Sequence, residues 1–404
     1  MEAPAGDGLV LADPLTRLGL LRHDRAVPSP RRQSLLAASL LSWPLFVGGC
    51  GVDEPGVDPV VVPVDPATFG VTEAGPFTCG HRELQTTYTP PGQPPRTIPV
   101  HVWYPSTTTS GVHPVYSGIF PDTVAWDDGD LAPAAWSTGY PVLIHSHGYE
   151  GFAGNSARLM CQFASFGWLA VAPDHVGNLL ADTPNPLPLA IYYERPLDLR
   201  ASLALVGDLP ASDPLAGKAD FDHLAMSGHS FGTYDAWALG GAFYDLPGIA
   251  AMCAAGNPGS CDAAGEAVFS TDLSERRAKV VIPMAGGHND FFTTGGEDFE
   301  RVPVLLMSGS LNPVGADTLY DSVVGIDLTW ADVQGGCHQL YGLGNTQNGA
   351  ADCAVLSDEA GFAIVNPFIL AFARYHVLGE RGAGVTGLVE GTQGLSPLMS
   401  WHHR

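Results

Sequence analysis

A serine between two glycines is the feature of this sequence with the clearest chemical potential. Residues 228–232 read Gly-His-Ser-Phe-Gly, with an apolar run at 224–227 before them and an alanine-rich stretch at 233–242 after them. This order predicts a strand, a sharp turn and a helix, and the glycines leave room for the strained backbone that exposes a serine hydroxyl at such a turn. The pattern therefore predicts that Ser230 is a nucleophile.

A serine hydroxyl is a poor nucleophile at neutral pH, so a base must lie beside it. His338, in the segment 335–339, directly follows a predicted strand at 327–333, where a loop at the carboxyl end of a parallel strand is expected. We predict that His338 is this base. Three other histidines are less well placed for this role. His175 follows an earlier strand, His288 lies in a loop, and His376 lies within the last predicted helix.

The elements that must position these two side chains alternate along the chain. Short apolar runs predict strands at 83–88, 97–104, 140–145, 168–172, 224–227, 279–285, 302–308 and 327–333. Segments of helical period predict helices at 155–166, 196–209, 233–242 and 361–378. This alternation predicts the α/β class, with a mostly parallel central sheet flanked by helices on both faces.

The chain divides into four regions by composition. We expect an N-terminal extension with a signal peptide at 1–50, a Pro- and Asp-rich tether at 51–75, a catalytic domain at 76–380 and a C-terminal tail at 381–404. We expect residues 400–404 to be a loose end.

The first region has the order of a secretory signal. Arginines at 31–32 precede an apolar run at 35–47, which is shorter than the roughly 20 residues that span a bilayer. Small residues directly before Cys50 resemble the lipobox of bacterial lipoproteins, whose cysteine is acylated after cleavage. This implies export to the cell envelope and a lipid anchor on Cys50, at the periplasmic or cell-surface face. The alternative is an ordinary signal peptide that happens to contain Cys50, and the long stretch before the arginines points to a translation start downstream, with Val27 as one candidate.

Cysteine usage and charge indicate the environment. Six cysteines remain besides Cys50, and an even number in an oxidising compartment predicts three disulfides. Sequence leaves the pairing open, although Cys253 with Cys261 and Cys337 with Cys353 would close the shortest loops; Cys79 and Cys161 are the other two. The formal net charge of −24, from 42 acidic and 18 basic residues, repels phosphate backbones, so nucleic acid is not an expected partner.

Five segments together carry a resemblance to a known family. They are Val-Trp-Tyr-Pro at 102–105, the loop 145–151, Pro-Asp-His at 173–175, the serine motif at 228–232 and Gly-Cys-His at 336–338. With them the chain resembles the α/β-hydrolase superfamily, in the branch of dienelactone-hydrolase-related proteins, platelet-activating-factor acetylhydrolases and bacterial cutinase-like polyester hydrolases. The resemblance implies hydrolysis of a small-molecule or polymer ester through an acyl-enzyme, without a metal or organic cofactor. Dienelactone hydrolases use a cysteine nucleophile, so Ser230 departs from them.

Enzymes of this fold hold the tetrahedral intermediate with two backbone N–H groups, one from the residue after the nucleophile and one from an early strand–helix loop. These residues are here Phe231 and Tyr149. His145 and His147, in the same early loop, could instead be metal ligands, but without nearby carboxylates they would make a poor site.

The acid that orients the histidine usually follows the strand before the histidine's own strand. Asn312 occupies this place, and an asparagine can hold an imidazole through its carbonyl but lacks the charge that stabilises the imidazolium. We predict that Asp317, five residues further on, serves instead, with Asp290 as the alternative one strand earlier.

The predicted activity is that of a carboxylic ester hydrolase. A peptidase or amidase would use the same triad. The non-enzymatic alternative is a surface lipoprotein that has kept the fold as a binding module after its triad decayed, and Asn312 is the residue that keeps this alternative open.

Overall fold

The computed structural model describes residues 64–404 except 257, 288 and 289. The expected signal peptide at 1–50, with Cys50, and His288 therefore lie outside the described residues. The strands are β1 (Thr78–Tyr88), β2 (Arg96–Ser106), β3 (Val115–Tyr116), β4 (Phe120–Pro121), β5 (Trp126–Asp127), β6 (Tyr140–Ser146), β7 (Glu150–Gly151), β8 (Leu169–Pro173), β9 (Ala219–His229), β10 (Ala278–Met284), β11 (Val304–Gly309), β12 (Leu328–Val333) and β13 (Met399–His403).

The α-helices are α1 (Ala157–Ser165), α2 (Ala190–Gly207), α3 (Gly232–Gly240), α4 (Leu246–Ala254), α5 (Ala263–Val268), α6 (Ala316–Ser322), α7 (Asp358–His376) and α8 (Ala383–Val389). Short 3₁₀ helices lie at Pro66–Thr68, Ala153–Ser156, Gly296–Phe299, His338–Tyr341, Asn345–Asn348 and Ala351–Val355. No helix in the described ranges is long and apolar enough to cross a membrane.

Most strands of the described chain join one ten-stranded sheet, in the order β13-β12-β11-β10-β9-β6-β8-β2-β1-β5. The six strands from β12 to β8 in this order run parallel, whereas β2 and β13 pair antiparallel with their inner neighbours. Parallel neighbours require crossover connections, and the helices between the strands supply them. The expected α/β architecture is confirmed.

Both faces of the sheet are buried, as helices on both sides require. Along β6, Val142 and Ile144 belong to the core beneath α2 and α3, while Leu143 belongs to the core beneath α1 and α7. This alternation follows from the two-residue period of a strand. Helix residues such as Trp237 and Phe368 fill the two layers and are fully buried.

Helix α2 begins at Ala190, six residues before the predicted start at position 196. The prediction began the helix at Pro196 because a proline has no N–H to donate to the carbonyl four residues earlier and is therefore favoured in the first turn of a helix. In the structure that carbonyl, of Tyr192, accepts a 2.5 Å hydrogen bond from the Tyr234 hydroxyl of α3. A tertiary contact therefore lets the helix continue through Pro196.

The C-terminal region is folded, so the expectation of a loose end at 400–404 is wrong. Strand β13 pairs antiparallel with β12 from Thr329↔His403 to Val333↔Met399, and α8 packs against α7. The distal part of the expected tether also packs on the domain, since Val71 is buried and the Phe69 carbonyl accepts a 3.0 Å hydrogen bond from Arg374.

Three disulfides are present among the described residues. Cys79–Cys161 joins β1 to α1, while Cys253–Cys261 and Cys337–Cys353 close short loops. The two short-loop pairs agree with the expectation from sequence, and the long-range pair follows from the remaining two cysteines.

Candidate active site

The serine motif forms a strained turn between β9 and α3. Ser230 has a φ of 57°, in the left-handed region that non-glycine residues rarely adopt, and its N–H donates to the Met284 carbonyl of β10 at 2.9 Å. A Cβ at Gly228 would lie 1.9 Å from the Gly232 carbonyl oxygen, and one at Gly232 would lie 2.1 Å from that of Ser146. Only glycine fits at these two positions, so the predicted turn is present for the predicted reason.

His338 lies beside this turn. Its Nε2 is 2.7 Å from the Ser230 Oγ, although the two residues are 108 positions apart in the chain. Burial lowers the pKa of His338 below the ordinary histidine value of 6.5. The ring is therefore neutral at pH 7, and its Nε2 lone pair can accept the serine proton.

The loop that carries His338 is held from both ends. Cys337, its neighbour, is bonded to Cys353, and the Cys337 N–H donates to the buried Asn345 side chain at 2.6 Å. The Asn345 amide group in turn donates to the carbonyls of Gly335 and Cys353 at 2.9 and 2.7 Å. These bonds restrict the loop and hence the position of the imidazole.

His229, inside the serine motif, makes a contact with the His338 loop that the sequence prediction missed. Its Nε2 donates a 2.8 Å hydrogen bond to the backbone carbonyl of His338. Burial and the nearby His338 lower the pKa of His229 to about 3, so the ring stays neutral. The residue that directly precedes Ser230 therefore anchors the loop of His338. Position x of a Gly-x-Ser-x-Gly pattern can hold many residue types, so the sequence gave no signal of this contact.

The early loop after β6 approaches the serine closely. A Cβ at Gly148 would lie 2.9 Å from the Ser230 Cβ. Tyr149 follows with an exposed side chain. In the described part of the chain, neither the Tyr149 N–H nor the Phe231 N–H has a backbone acceptor. Two amides of this region, one directly after Ser230 and one directly after Gly148, are thus without a backbone acceptor.

No carboxylate of the described residues forms a hydrogen bond or ion pair with the His338 ring. Asp317, in the first turn of α6, and Asp290 are both exposed. The structure does not bring either one together with His338. Asn312 instead has a buried side-chain oxygen, Oδ1, without a hydrogen-bond partner, and the adjacent Leu311 N–H donates to the Gly336 carbonyl of the histidine loop at 3.0 Å.

The other histidines have separate partners. His145 faces the Ser227 hydroxyl at 2.9 Å, and His175 contacts the Asp198 carboxylate at 2.9 Å. His376, at the end of α7, packs against Phe372, with the two ring planes tilted by 47°. The ranges that the structure describes contain no group of His, Cys, Asp and Glu side chains arranged to hold a metal ion.

Aromatic side chains lie on the Phe231 side of Ser230. The Tyr192 ring contacts the Phe231 ring edge-on at 5.3 Å and stacks on Phe291 at 4.0 Å between centroids. Together with the exposed ring of Tyr149, they give this side of the site an apolar, aromatic character.

No family model and no curated protein matches this sequence. Among solved structures, the fold is similar to the ferulic acid esterase from Streptomyces cinnamoneus, with a TM-score of 0.55 and 18% sequence identity. The similarity covers 80% of this chain and 96% of that one. The chain therefore has the α/β-hydrolase fold, with the serine, the histidine and the early loop at the carboxyl ends of its parallel strands.

Proposed function

We propose that the protein is a serine hydrolase that cleaves carboxylic esters through an acyl-enzyme. One observation carries the proposal: the 2.7 Å contact between the Ser230 hydroxyl and the His338 Nε2, made at a strained turn. Strain of this kind persists only where the surrounding structure imposes it, and it clusters at sites of function. The decayed binding module offers no reason to keep a hydroxyl in this position.

In the proposed mechanism, His338 takes the hydroxyl proton as Ser230 attacks the ester carbonyl. The amides of Phe231 and Tyr149 hold the oxyanion of the tetrahedral intermediate. His338 then gives the proton to the departing alcohol, and water releases the acyl group by the same steps with His338 again as the base.

Asn312 is the residue we propose as the third member of the triad. The backbone bond between its loop and that of His338 supports this role. The buried Oδ1 forms no hydrogen bond in this structure, to the His338 ring or to any other described group, so it is free to accept one. A neutral carbonyl acceptor can fix the imidazole tautomer with Nδ1 protonated, which leaves Nε2 free to accept the proton. It supplies no charge to the imidazolium, so the expected catalysis is weaker than with a carboxylate.

The aromatic residues on the Phe231 side favour an ester with a flat or apolar acyl group. The structurally similar protein is a ferulic acid esterase, and ferulate is such an aromatic acid. We include this ester class within the proposal, beside simple aliphatic esters.

The test uses the purified chain without its first 63 residues, a fluorophosphonate probe and a panel of 4-nitrophenyl acetate, a feruloyl ester and the matching anilides. We expect labelling and ester cleavage by the wild type and loss of both in Ser230→Ala. The matched control is Ser117→Ala, because Ser117 also has a positive φ, of 48°, but lies exposed in a turn. An unlabelled wild type would refute the hydrolase, and anilide cleavage as fast as ester cleavage would favour the amidase.

We also propose that the protein is exported and anchored to the membrane through a lipid on Cys50. The signal-like order of residues 31–50 supports this, and three disulfides are typical of an oxidising compartment. In cells that express the full chain, the wild type should partition into detergent and Cys50→Ser into the aqueous phase. Equal partitioning of the two would contradict the anchor.

A further inference from the structure

Helix α2 places a fully buried arginine, Arg195, beneath the early loop. Its Nε donates to the Asp235 carboxylate at 2.8 Å, and its two terminal nitrogens donate to Asn178 at 2.7 Å and to the Ser146 hydroxyl at 2.9 Å. A buried cation with several partners is costly to desolvate, so these bonds must offset a large penalty. The mechanism above makes no use of this group.

The arginine also holds the backbone of the early loop. One terminal nitrogen donates to the carbonyl oxygen of His147. Because a trans peptide is planar, its C=O and N–H point in opposite directions. The bond from Arg195 therefore directs the N–H of Gly148 away from the arginine and fixes the first peptide plane of the loop.

The next peptide plane is held through His147. The Gly148 carbonyl oxygen lies 2.7 Å from the His147 Nδ1 and accepts a 3.1 Å bond from the Gly151 N–H. The His147 Nε2 accepts a 3.1 Å bond from the His175 N–H, so the proton of the ring is on Nδ1. With the Gly148 carbonyl fixed in this way, the Tyr149 N–H must point to the opposite side of the plane.

Burial, followed by the charge of Arg195, lowers the pKa of His147 to about 3. The ring therefore keeps one proton throughout the neutral range, and the hydrogen-bond pattern that orients the loop does not change with pH there.

The same arginine reaches the other proposed oxyanion residue. Its guanidinium carbon lies 4.5 Å from the centre of the Phe231 ring, and its partner Asp235 belongs to α3, the helix that begins directly after Phe231. Arg195 thus contacts the peptide before Gly148 on one side and the Phe231 side chain on the other.

We propose that Arg195 is a positioning residue, which fixes the early loop and Phe231 so that their two amides point at one place beside Ser230. This inference rests on the proposed hydrolase function and adds to it the residue that sets the oxyanion geometry. Arg195 would not touch the substrate, and it would act through the backbone of residues 147–149 and through the Phe231 ring.

The test is Arg195→Lys, which keeps the charge but loses the planar group that serves several acceptors at once. The matched control is Arg374→Lys. Arg374 is also buried, pairs with Glu380 at 2.7 Å, donates to a backbone carbonyl and lies over an aromatic ring, Phe166. None of these partners belongs to the proposed site.

The measurements are kcat per fluorophosphonate-titrated site, KM, and the inhibition constant of a phenylboronic acid, whose boronate oxygen occupies the oxyanion position. For Arg195→Lys we expect kcat and boronate affinity to fall in parallel by about 10- to 100-fold, approaching the loss of one oxyanion donor, with KM unchanged. Arg374→Lys should leave both within twofold of the wild type. A purely structural role would lower the folded fraction but not the turnover of each titrated site.

If folded Arg195→Lys has a kcat and a boronate affinity within twofold of the wild type, this inference is overturned, while the proposed hydrolase function stands. A wild type that neither labels nor binds the boronate would remove the proposed function and this inference with it. If Arg195→Lys does not fold, Ser146→Ala removes one acceptor of Arg195, and we expect it to lower kcat and boronate affinity by about fivefold. No change in folded Ser146→Ala would then count against the inference.

Discussion

Gly148 gives the sharpest test of how closely the early loop approaches Ser230. Its φ is not positive, so an alanine there does not meet the strain of a left-handed backbone. The added Cβ would, however, lie 2.9 Å from the Ser230 Cβ and 3.4 Å from the Ser230 Oγ. Since ordinary contacts begin at 3.4 Å, the loop or the serine must move by about 0.5 Å, the tolerance to which catalytic geometry is held.

We expect Gly148→Ala to lower kcat/KM by about 10- to 100-fold, because a misplacement of about 1 Å costs on the order of 100-fold in rate. This corresponds to about 1.4–2.7 kcal/mol of transition-state stabilisation. The assay is hydrolysis of 4-nitrophenyl acetate per titrated site, with the thermal midpoint measured in parallel.

Gly384→Ala is the matched control for this substitution. A Cβ there meets nothing within 4 Å, and its helical position should gain up to about 1 kcal/mol of stability without a change in rate. A folded Gly148→Ala with the rate of the wild type would refute the close approach of this loop to Ser230.

Three further predictions concern acid stability, disulfides and the triad. Burial lowers the pKa values of four histidines from 6.5 to about 4 or about 3: His81, His145, His147 and His229. Below pH 6.5 the folded state therefore binds fewer protons than the unfolded state. The free energy of unfolding should fall by about 2 kcal/mol for each of these groups between pH 7.5 and pH 5. Equal free energies from urea unfolding at the two pH values would contradict this. Replacing Cys79–Cys161 by two alanines should lower the free energy of unfolding by about 4–5 kcal/mol, and replacing Cys253–Cys261 should lower it by about 2–3 kcal/mol. The first disulfide joins residues 82 positions apart and the second joins residues 8 apart, so the first restricts the unfolded chain more. Denaturant unfolding of both variants measures this order, and the reverse order would argue against it. Asn312→Asp should raise kcat and move the acid limb of the kcat/KM profile to higher pH by about one unit, because a nearby carboxylate raises the pKa of His338. An unchanged pH profile would exclude contact between residue 312 and His338.

Local patterns were enough to predict the central elements of the fold. The strands before Ser230 and before His338 are short apolar runs. A strand that is buried on both faces needs such a continuous apolar run, so the pattern predicts a central strand of a parallel sheet. Gly228 was predictable for a local steric reason, because a Cβ there would lie 1.9 Å from the Gly232 carbonyl oxygen. At Gly232 an added Cβ would lie 2.1 Å from the carbonyl oxygen of Ser146, on another strand, so the reason for this glycine is a tertiary contact. His338 was predictable because the loop after a late strand must lie at the same sheet edge.

The surroundings of the His338 ring and the fold at the end of the chain were not predictable in this way. Residues 381–404 contain many glycines, and only the free edge of β12 makes 399–403 a strand. Asp317 is close to the expected place in sequence, but it lies on the exposed side of α6, and sequence spacing does not tell which way a helix turns its side chains.

The class of fold, the turn at Ser230, the place of His338 and the even set of cysteines could be predicted from the sequence, because each depends on neighbours in the chain or on the alternation of strands and helices. The groups that surround these residues could be identified only in the folded chain. Three contacts each join residues dozens of positions apart. They are His229 with the His338 carbonyl, Arg195 with the His147 carbonyl, and the Tyr234 hydroxyl with the Tyr192 carbonyl. Such contacts depend on how the layers pack, and no local pattern records them.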